Sequence, residues 1–306
     1  MASSFPPHVP PSITLQVMGA QHAGTYHAAM NTSAPTASRA HRAAPQPFGE
    51  HLRHWRQHRR LSQLDLAQEA DISTRHLSFV ETGRASPSRE MVLRLSERLE
   101  IPLRERNALL VAAGFAPMYR ERALDDPALA AARRAVDLVL KGHEPSPALA
   151  VDRHWNLVVA NAALPHLLAG VAPDMLQPPV NVLRLSLHPS GLAPRIVNLG
   201  QWRAHILERL RQQINATGDA TLAALLEELR DYPVPDDAAD LQLDGELLGV
   251  AMPFRFRTDA GVLNFISITT VFGTPVDVTL QELAVESFFP ADAFTAQALR
   301  TMMAQP

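Results

Sequence analysis

The chain has 306 residues, 46% of them apolar, no cysteine and a formal net charge of −3. That length suits about two domains, each able to bury a sizeable core. The missing thiols exclude disulfides, thiol redox sensing and thiolate metal sites. No apolar run is long enough to span a bilayer. No charged segment leads into an apolar stretch at the N-terminus, so no secretory leader is expected and the protein is read as cytoplasmic. The charge is uneven: residues 48–122 carry +3 and residues 123–306 carry −8. The first of these segments suits a polyanionic partner and the second does not.

Residues 1–47 are rich in Pro, Ala, Ser and Thr and lack periodicity, which predicts a disordered arm. Met30 is an alternative start, and Arg39 and Arg42 would let such an arm follow a minor groove. From Phe48 the pattern is helical. Phe48, Leu52 and Trp55 form the stripe of a first helix. Leu61–Arg84 then reads as two short helices around a tight turn. Ser62 and Asp65 match a capping box, with Leu66, Ala67 and Ala70 on one face. Asp71 suits a left-handed turn residue. Ser73 caps the next helix, Ile72, Leu77 and Val80 bury its inner side, and Gly83 ends it. Ser88 opens a fourth helix with Met91, Val92, Leu95 and Leu99 inward. Pro102 opens a fifth, closed by Gly114.

The outer side of the second helix of the pair carries Thr74, Arg75, Ser78 and Phe79. A short exposed helix of this kind fits the major groove, so these four are the expected base contacts. Arg75 leads, because its planar fork matches the O6 and N7 of guanine. Gln63 and Ser73 stand at helix N-termini, where backbone N–H groups favour phosphate. Thr82, Arg84 and Arg89 are further phosphate candidates. His51, His54 and His58 lie on the first helix, the last two at i, i+4. Arg53, Arg56 and Arg59 interleave with them on what reads as a solvated face, and no metal site is expected.

The residues Leu61-Ser62-Gln63, Leu66-Ala67, Ile72-Ser73, Leu77, Glu81-x-Gly83-Arg84 and Pro87-Ser88 resemble the DNA-binding domain of the Cro/C1-type (XRE) helix-turn-helix regulators. Many relatives have glycine or asparagine where this chain has Asp71. The resemblance implies an all-α, five-helix, lambda-repressor-like domain over residues 48–117 that binds double-stranded operator DNA. Residues 118–126 form the linker.

Residues 127–306 read as a mixed domain. A helix runs from Asp126-Pro127 to about Lys141. Ala148–Val151 and Asn156–Ala160 are short strands, and Asn161 is expected to cap a following helix. Gln201–Ile214 and Ala220–Asp231 are amphipathic helices. Val250–Arg257 and Val262–Phe272 form a hairpin around Thr258–Gly261. A strand near Glu282–Phe288 and a helix from Asp292 complete the chain. The expected architecture is α+β, with helices on one face of an antiparallel sheet, resembling a PAS-like sensor fold.

Four stretches together, STRHLSFVETGRASPSREMVLRL, PLRERNALLVAAGFAP, DRHWNLVVANAA and HPSGLAPRIVNL with Trp202 behind it, resemble the MmyB-like transcription regulators. These join an XRE-type helix-turn-helix to a PAS-like ligand-binding domain. The resemblance implies a bacterial regulator whose C-terminal pocket takes an apolar small molecule such as a fatty acid. Trp155, Asn161, Trp202, Phe254, Phe256, Phe265 and Ile268 are the expected pocket residues. Arg195, Arg203 or Arg255 would receive a ligand carboxylate. No catalytic motif is present, and no enzyme activity or other cofactor is expected. The reading is a homodimeric, ligand-responsive DNA-binding regulator, either a repressor that releases its operator on binding the ligand or one of the opposite sign. The alternative is a constitutive repressor whose second domain only dimerises.

Overall fold

The computed structural model describes residues 47–233, 252–271 and 277–304. The expected N-terminal arm lies outside these residues, as do the outer ends of two expected strands at Val250 and Phe272. The first domain contains α1 (Phe48–His58), α2 (Gln63–Glu69), α3 (Thr74–Glu81), α4 (Arg89–Arg98) and α5 (Leu103–Ala112). Three of its helix starts, those of α2, α3 and α4, are set by side chains. Ser62 Oγ accepts from the Asp65 amide while the Asp65 carboxylate accepts from the Ser62 amide. Ser73 and Ser88 cap α3 and α4 by the serine bond alone, accepting from the His76 and Met91 amides. Each such cap contributes about 0.5–2 kcal/mol. Asp71 takes φ 53° at the turn, and Gly83 takes φ 71° after α3. Leu52, Trp55, Leu66, Leu77, Val80, Leu95, Leu99, Leu109 and Leu110 close the core. Gly49 lets α1 touch the end of α3: a Cβ there would stand 2.4 Å from the Glu81 carbonyl oxygen.

The second domain begins with a 3-10 turn at Pro127–Leu129 and α6 (Ala130–Gly142). Next come β1 (Ala148–Val151), β2 (Leu157–Ala160), α7 (Leu164–Leu167), α8 (Val182–Leu187), α9 (Leu199–Thr217) and α10 (Ala220–Arg230). β3 (Met252–Thr258), β4 (Gly261–Val271), α11 (Val278–Gln281), β5 (Ala284–Pro290) and α12 (Ala293–Met303) follow. The five strands form an antiparallel sheet in the order β2-β1-β5-β4-β3. Thr258 pairs with Gly261, so the β3–β4 connection is a two-residue turn, and Gly261 takes φ 128°.

One face of this sheet is covered by helices and the other is covered in part, by α6 over β1 and β5, which corrects the one-face expectation. Phe254, Phe256, Leu263, Phe265 and Phe288 pack against Trp202, Ile206, Leu210 and Leu225 on one side. On the other, Val136 and Leu140 of α6 lie against Ala148, Ala150, Leu283 and Val285. The small alanines of β1 allow that approach.

The turn before β2 is built around Asp152. Its carboxylate accepts from the amides of His154 and Asn156, each at 2.8 Å, and from the Asn156 side chain. This holds Trp155 at φ 67°, a conformation a non-glycine residue keeps only where its surroundings over-determine it. With Asn156 engaged in that turn, β2 starts at Leu157. Asn161 does not cap α7 through its side chain. It is buried, accepts from the Ala148 amide at 3.1 Å and donates to the Leu140 and Ser146 carbonyls. It therefore joins the end of α6 to the start of the sheet.

Candidate DNA-reading surface and ligand cavity

Arg75, Thr82, Arg84 and Arg89 are exposed, and Thr74, Ser78 and Phe79 are half-buried. The Arg75 guanidinium stands 5.4 Å over the Phe79 ring. Phe79 thus supports the arginine on the outer face of α3, which narrows the angles from which it can approach a base edge. Three phosphate candidates have side-chain partners inside the protein, the first being Ser73, whose Oγ accepts from the His76 amide at 3.1 Å. The Thr82 hydroxyl donates to the Ser78 carbonyl at 2.8 Å. The Gln63 side chain donates to Glu81 at 2.8 Å. Gln63 keeps its backbone N–H at the start of α2.

The Gln63 contact belongs to a buried ionic node. Arg56 Nε and Nη2 meet Glu81 Oε1 and Oε2 at 2.6 and 3.0 Å, and Arg56 Nη1 donates to the Leu61 carbonyl at 2.8 Å. Arg56 is 8% and Glu81 3% exposed, so the expected solvated face on α1 is wrong at Arg56. Burial works against the Glu81 charge, but hydrogen bonds from Arg56 and Gln63 and the charges of Arg56 and Arg53 outweigh it, leaving the carboxyl below its ordinary value. One carboxylate at the end of α3 thereby fixes the reading helix to α1 and α2. Arg59 is also committed, to the carbonyls of Leu99, Glu100 and Ala216. Its neighbour His58 bonds the Asn215 carbonyl. His51 lies 3.7 Å from Glu105. Among the described residues no group of three or more His, Asp or Glu is arranged to hold a metal.

Between the sheet and helices α7–α9 lies a cavity of about 60 Å³. Leucines 149, 164, 167 and 185, with Trp202, Phe254, Phe256 and Phe288, form its apolar wall. Arg209 and Glu286 are the charged residues on it among the described residues. Arg209 Nη1 donates to Glu286 Oε1 at 2.9 Å and to Thr269 Oγ1 at 2.8 Å, and the guanidinium lies 4.2 Å from the Trp155 ring. Trp202 Nε1 donates to Ser186.

Two family models match the chain. The ligand-binding domain of MmyB-like transcription regulators covers residues 132–302, and a helix-turn-helix domain covers residues 47–109. The chain belongs to the MmyB-like transcription regulators. It is a DNA-binding transcription regulator, and the matched domains are those of a regulator rather than of an enzyme. A search of curated proteins found no match. Among the described residues no helix is long and apolar enough to cross a membrane.

Within this MmyB-like domain the expected pocket residues divide. Trp202, Phe254 and Phe256 line the cavity. Phe265 sits behind them, fully buried in the aromatic cluster. Trp155 faces the cleft between the two domains instead, donating from Nε1 to Gln213 at 2.8 Å. Asn161 is engaged in the α6–sheet junction, and Ile268 is exposed on the other face of the sheet. None of the three arginines expected to meet a carboxylate lines this cavity. Arg195 donates to the Leu167, Ala169 and Arg257 carbonyls and lies over Phe256. Arg203 donates to the Arg230 carbonyl, and Arg255 to Asn264. Arg209, the arginine that does line the cavity, is not singled out by the sequence. Its surroundings come from β4, β5 and the Asp152 turn, none of which is near it in sequence.

The domains are joined by more than the chain. Arg104 on α5 forms a bidentate pair with Glu282 at 2.8 and 2.9 Å, and the Leu103 amide donates to Gln281. Arg122 pairs with the buried Asp277 at 3.0 Å, and the Val278 amide donates to the Arg120 carbonyl. The linker over 118–126 is thus hydrogen-bonded to the second domain.

His205, one turn before Arg209 on α9, titrates below its ordinary value of 6.5. Burial is the main cause, the Arg209 charge adds to it, and Glu286 opposes it. A histidine depressed in the folded state contributes stability that is present above 6.5 and lost as pH falls below it. The domain's unfolding midpoint should therefore drop between about pH 7.5 and about pH 5.5, and His205→Gln should flatten that drop. Equal slopes in both proteins would remove His205 as the cause.

Proposed function

We propose that this regulator binds a two-fold symmetric operator as a homodimer, and that its C-terminal domain senses a small apolar molecule, a fatty acid or similar. The observation that carries the sensing reading is the apolar cavity between sheet and helices. It sits in the domain matched as ligand-binding and is walled mainly by apolar side chains. Dimerisation is supported by large apolar side chains left exposed in this domain. These are Leu138 and Val139 on α6, with Ile268 and Phe289 on the adjoining sheet face. Two copies would present α3 to half-sites about one helical turn, roughly 34 Å, apart. Ligand binding changes operator affinity only if the DNA-bound and free arrangements differ in ligand affinity. A form that releases DNA on binding the metabolite would be a derepressed repressor.

The sensing reading is tested by mass spectrometry of the organic extract of protein purified from its native host. An apolar metabolite enriched in the full chain, and absent from a fragment ending at Pro117, is the expected result. An empty extract, with no thermal stabilisation by added apolar acids, would leave the dimerisation-only reading. For the DNA surface, Arg75→Ala should cost about 1–3 kcal/mol of specific binding and relax discrimination at one base pair. An equal loss on every sequence would make Arg75 a phosphate contact.

A further inference from the structure

Among the described residues, four that are not glycine take a positive φ. Arg60, Asp71 and Glu100 do so just past the ends of α1, α2 and α4, where a left-handed residue commonly stops a helix. Trp155 has no such reason. It stands at φ 67° in the turn between β1 and β2, where a glycine would hold the same angle without strain. Contacts made by the tryptophan must offset that strain.

Those contacts all lead to the end of α9. Trp155 Nε1 donates to Gln213 Oε1 at 2.8 Å, and the ring lies 4.2 Å from the Arg209 guanidinium. Gln213 Nε2 returns a bond to the Arg153 carbonyl at 3.0 Å. His154 Nε2 meets the carboxylate of Asp219, just past α9, at 2.9 Å. Arg209 and Gln213 are four residues apart, so one face of α9 grips the turn.

The same end of α9 moors the first domain. The last carbonyls of a helix have no partner within it. Here those of Asn215 and Ala216 are met by His58 and by Arg59 Nη2 from the end of α1. The negative end of the helix dipole favours the Arg59 cation. The second mooring, Arg104 of α5 on Glu282, stands across the cleft. Arg153 of the turn lies between the two, with Nη1 3.7 Å from Glu282 and 4.0 Å from Asp219. At 35% exposure such long pairs add little stability. The holding is therefore done at α1 and α5, and the turn is the piece that touches the protein beside both.

We propose that the Asp152–Asn156 turn is a joint that locks the DNA-binding domain in its reading orientation, by steadying the end of α9 against α1 and keeping Arg153 beside the Arg104–Glu282 pair. The lock is closed while Gln213 holds Trp155 at φ 67°. When that bond opens, Trp155 relaxes to a negative φ, the end of α9 loses its support, and the first domain keeps only its α5 and linker contacts. Arg209 is also on the cavity wall, so a shift of that one side chain reaches the joint directly. The lock needs neither an occupant of the cavity nor a second copy of the chain.

The test uses the full chain, which has no cysteine, so spin labels can be placed freely. Arg98→Cys on α4 and Ala224→Cys on α10 are exposed and lie one on each domain. Labelled protein is diluted with unlabelled protein, so that only distances within one copy are read. Electron–electron double resonance should give one narrow distance. Gln213→Ala removes both of its bonds to the turn but keeps a good helix former on α9. It should broaden the distance or add a second one, and Asp152→Ala, which frees the turn from within, should do the same. Circular dichroism checks the fold, and Gln213→Ala decides if Asp152→Ala does not fold. Affinity for a duplex selected by the wild type from random-sequence DNA should fall about tenfold, because the domain must then be ordered on binding. An unchanged narrow distance in Gln213→Ala would overturn the lock, as would a broad distance in the wild type. A broadened distance with unchanged affinity would leave a structural clasp and overturn its role in DNA reading.

Discussion

Glu81→Ala is expected to destabilise the DNA-binding domain by about 3–5 kcal/mol, the usual consequence of removing one partner from a buried ion pair. The variant leaves Arg56 charged, with its Nε and Nη2 unpaired inside the domain, and frees the Gln63 side chain. A 3–5 kcal/mol loss is a large part of what holds a domain of this size together. The measurement is thermal unfolding followed by two probes, because a two-domain chain need not melt as one unit. The first-domain transition should fall steeply. Operator binding should be lost at temperatures where the second domain is still folded. Glu81→Gln should be milder, since the amide keeps one acceptor for Arg56. A shift in the first domain within experimental error would mean that the pair's attraction only offsets its own desolvation.

Phe256→Ala should be as damaging to the other domain, at about 3–5 kcal/mol for a buried aromatic ring. Phe256 is fully buried, stacks on Phe254 at 5.6 Å between ring centroids and carries the Arg195 guanidinium at 4.4 Å. It is also a wall of the cavity, so its removal enlarges the space beside Arg209. Two effects of opposite sign are therefore expected in one variant. Its intrinsic stability falls, while the stabilisation it gains from a bulky apolar ligand rises by mass action. Calorimetry with and without hexadecanoic acid separates them. A variant as stable as the wild type, or one gaining no more from the ligand, would contradict the assignment of Phe256 to the cavity wall.

Where information is local, the chain could be read. Ser62, Asp65, Ser73 and Ser88 act within three residues of themselves, and Asp71 and Gly83 act through their own backbone angles. The hairpin at Asp259-Ala260 was legible for the same reason. What failed depended on distant partners. Arg56 looks like any surface arginine until Glu81, 25 residues on, is folded beneath it. Asn161 has the composition of a helix cap, but β1 and the end of α6 use its amide first. The second face of the sheet could not be anticipated, because α6 precedes every strand it covers. Arg209 sits on an amphipathic helix among other polar residues. Only Trp155, Thr269 and Glu286, brought from three other elements, distinguish it.

The bonds between the two domains respond to ionic strength differently from the DNA surface. Phosphate contacts release condensed counterions, so operator affinity falls steeply as salt rises. The Arg122–Asp277 and Arg104–Glu282 pairs are partly or wholly withdrawn from solvent, where mobile ions screen little. Salt should therefore detach the protein from its operator well before it separates the domains. A molecule released in this way keeps its first domain at a fixed angle to the second, and rebinding needs no renewed ordering of one domain against the other.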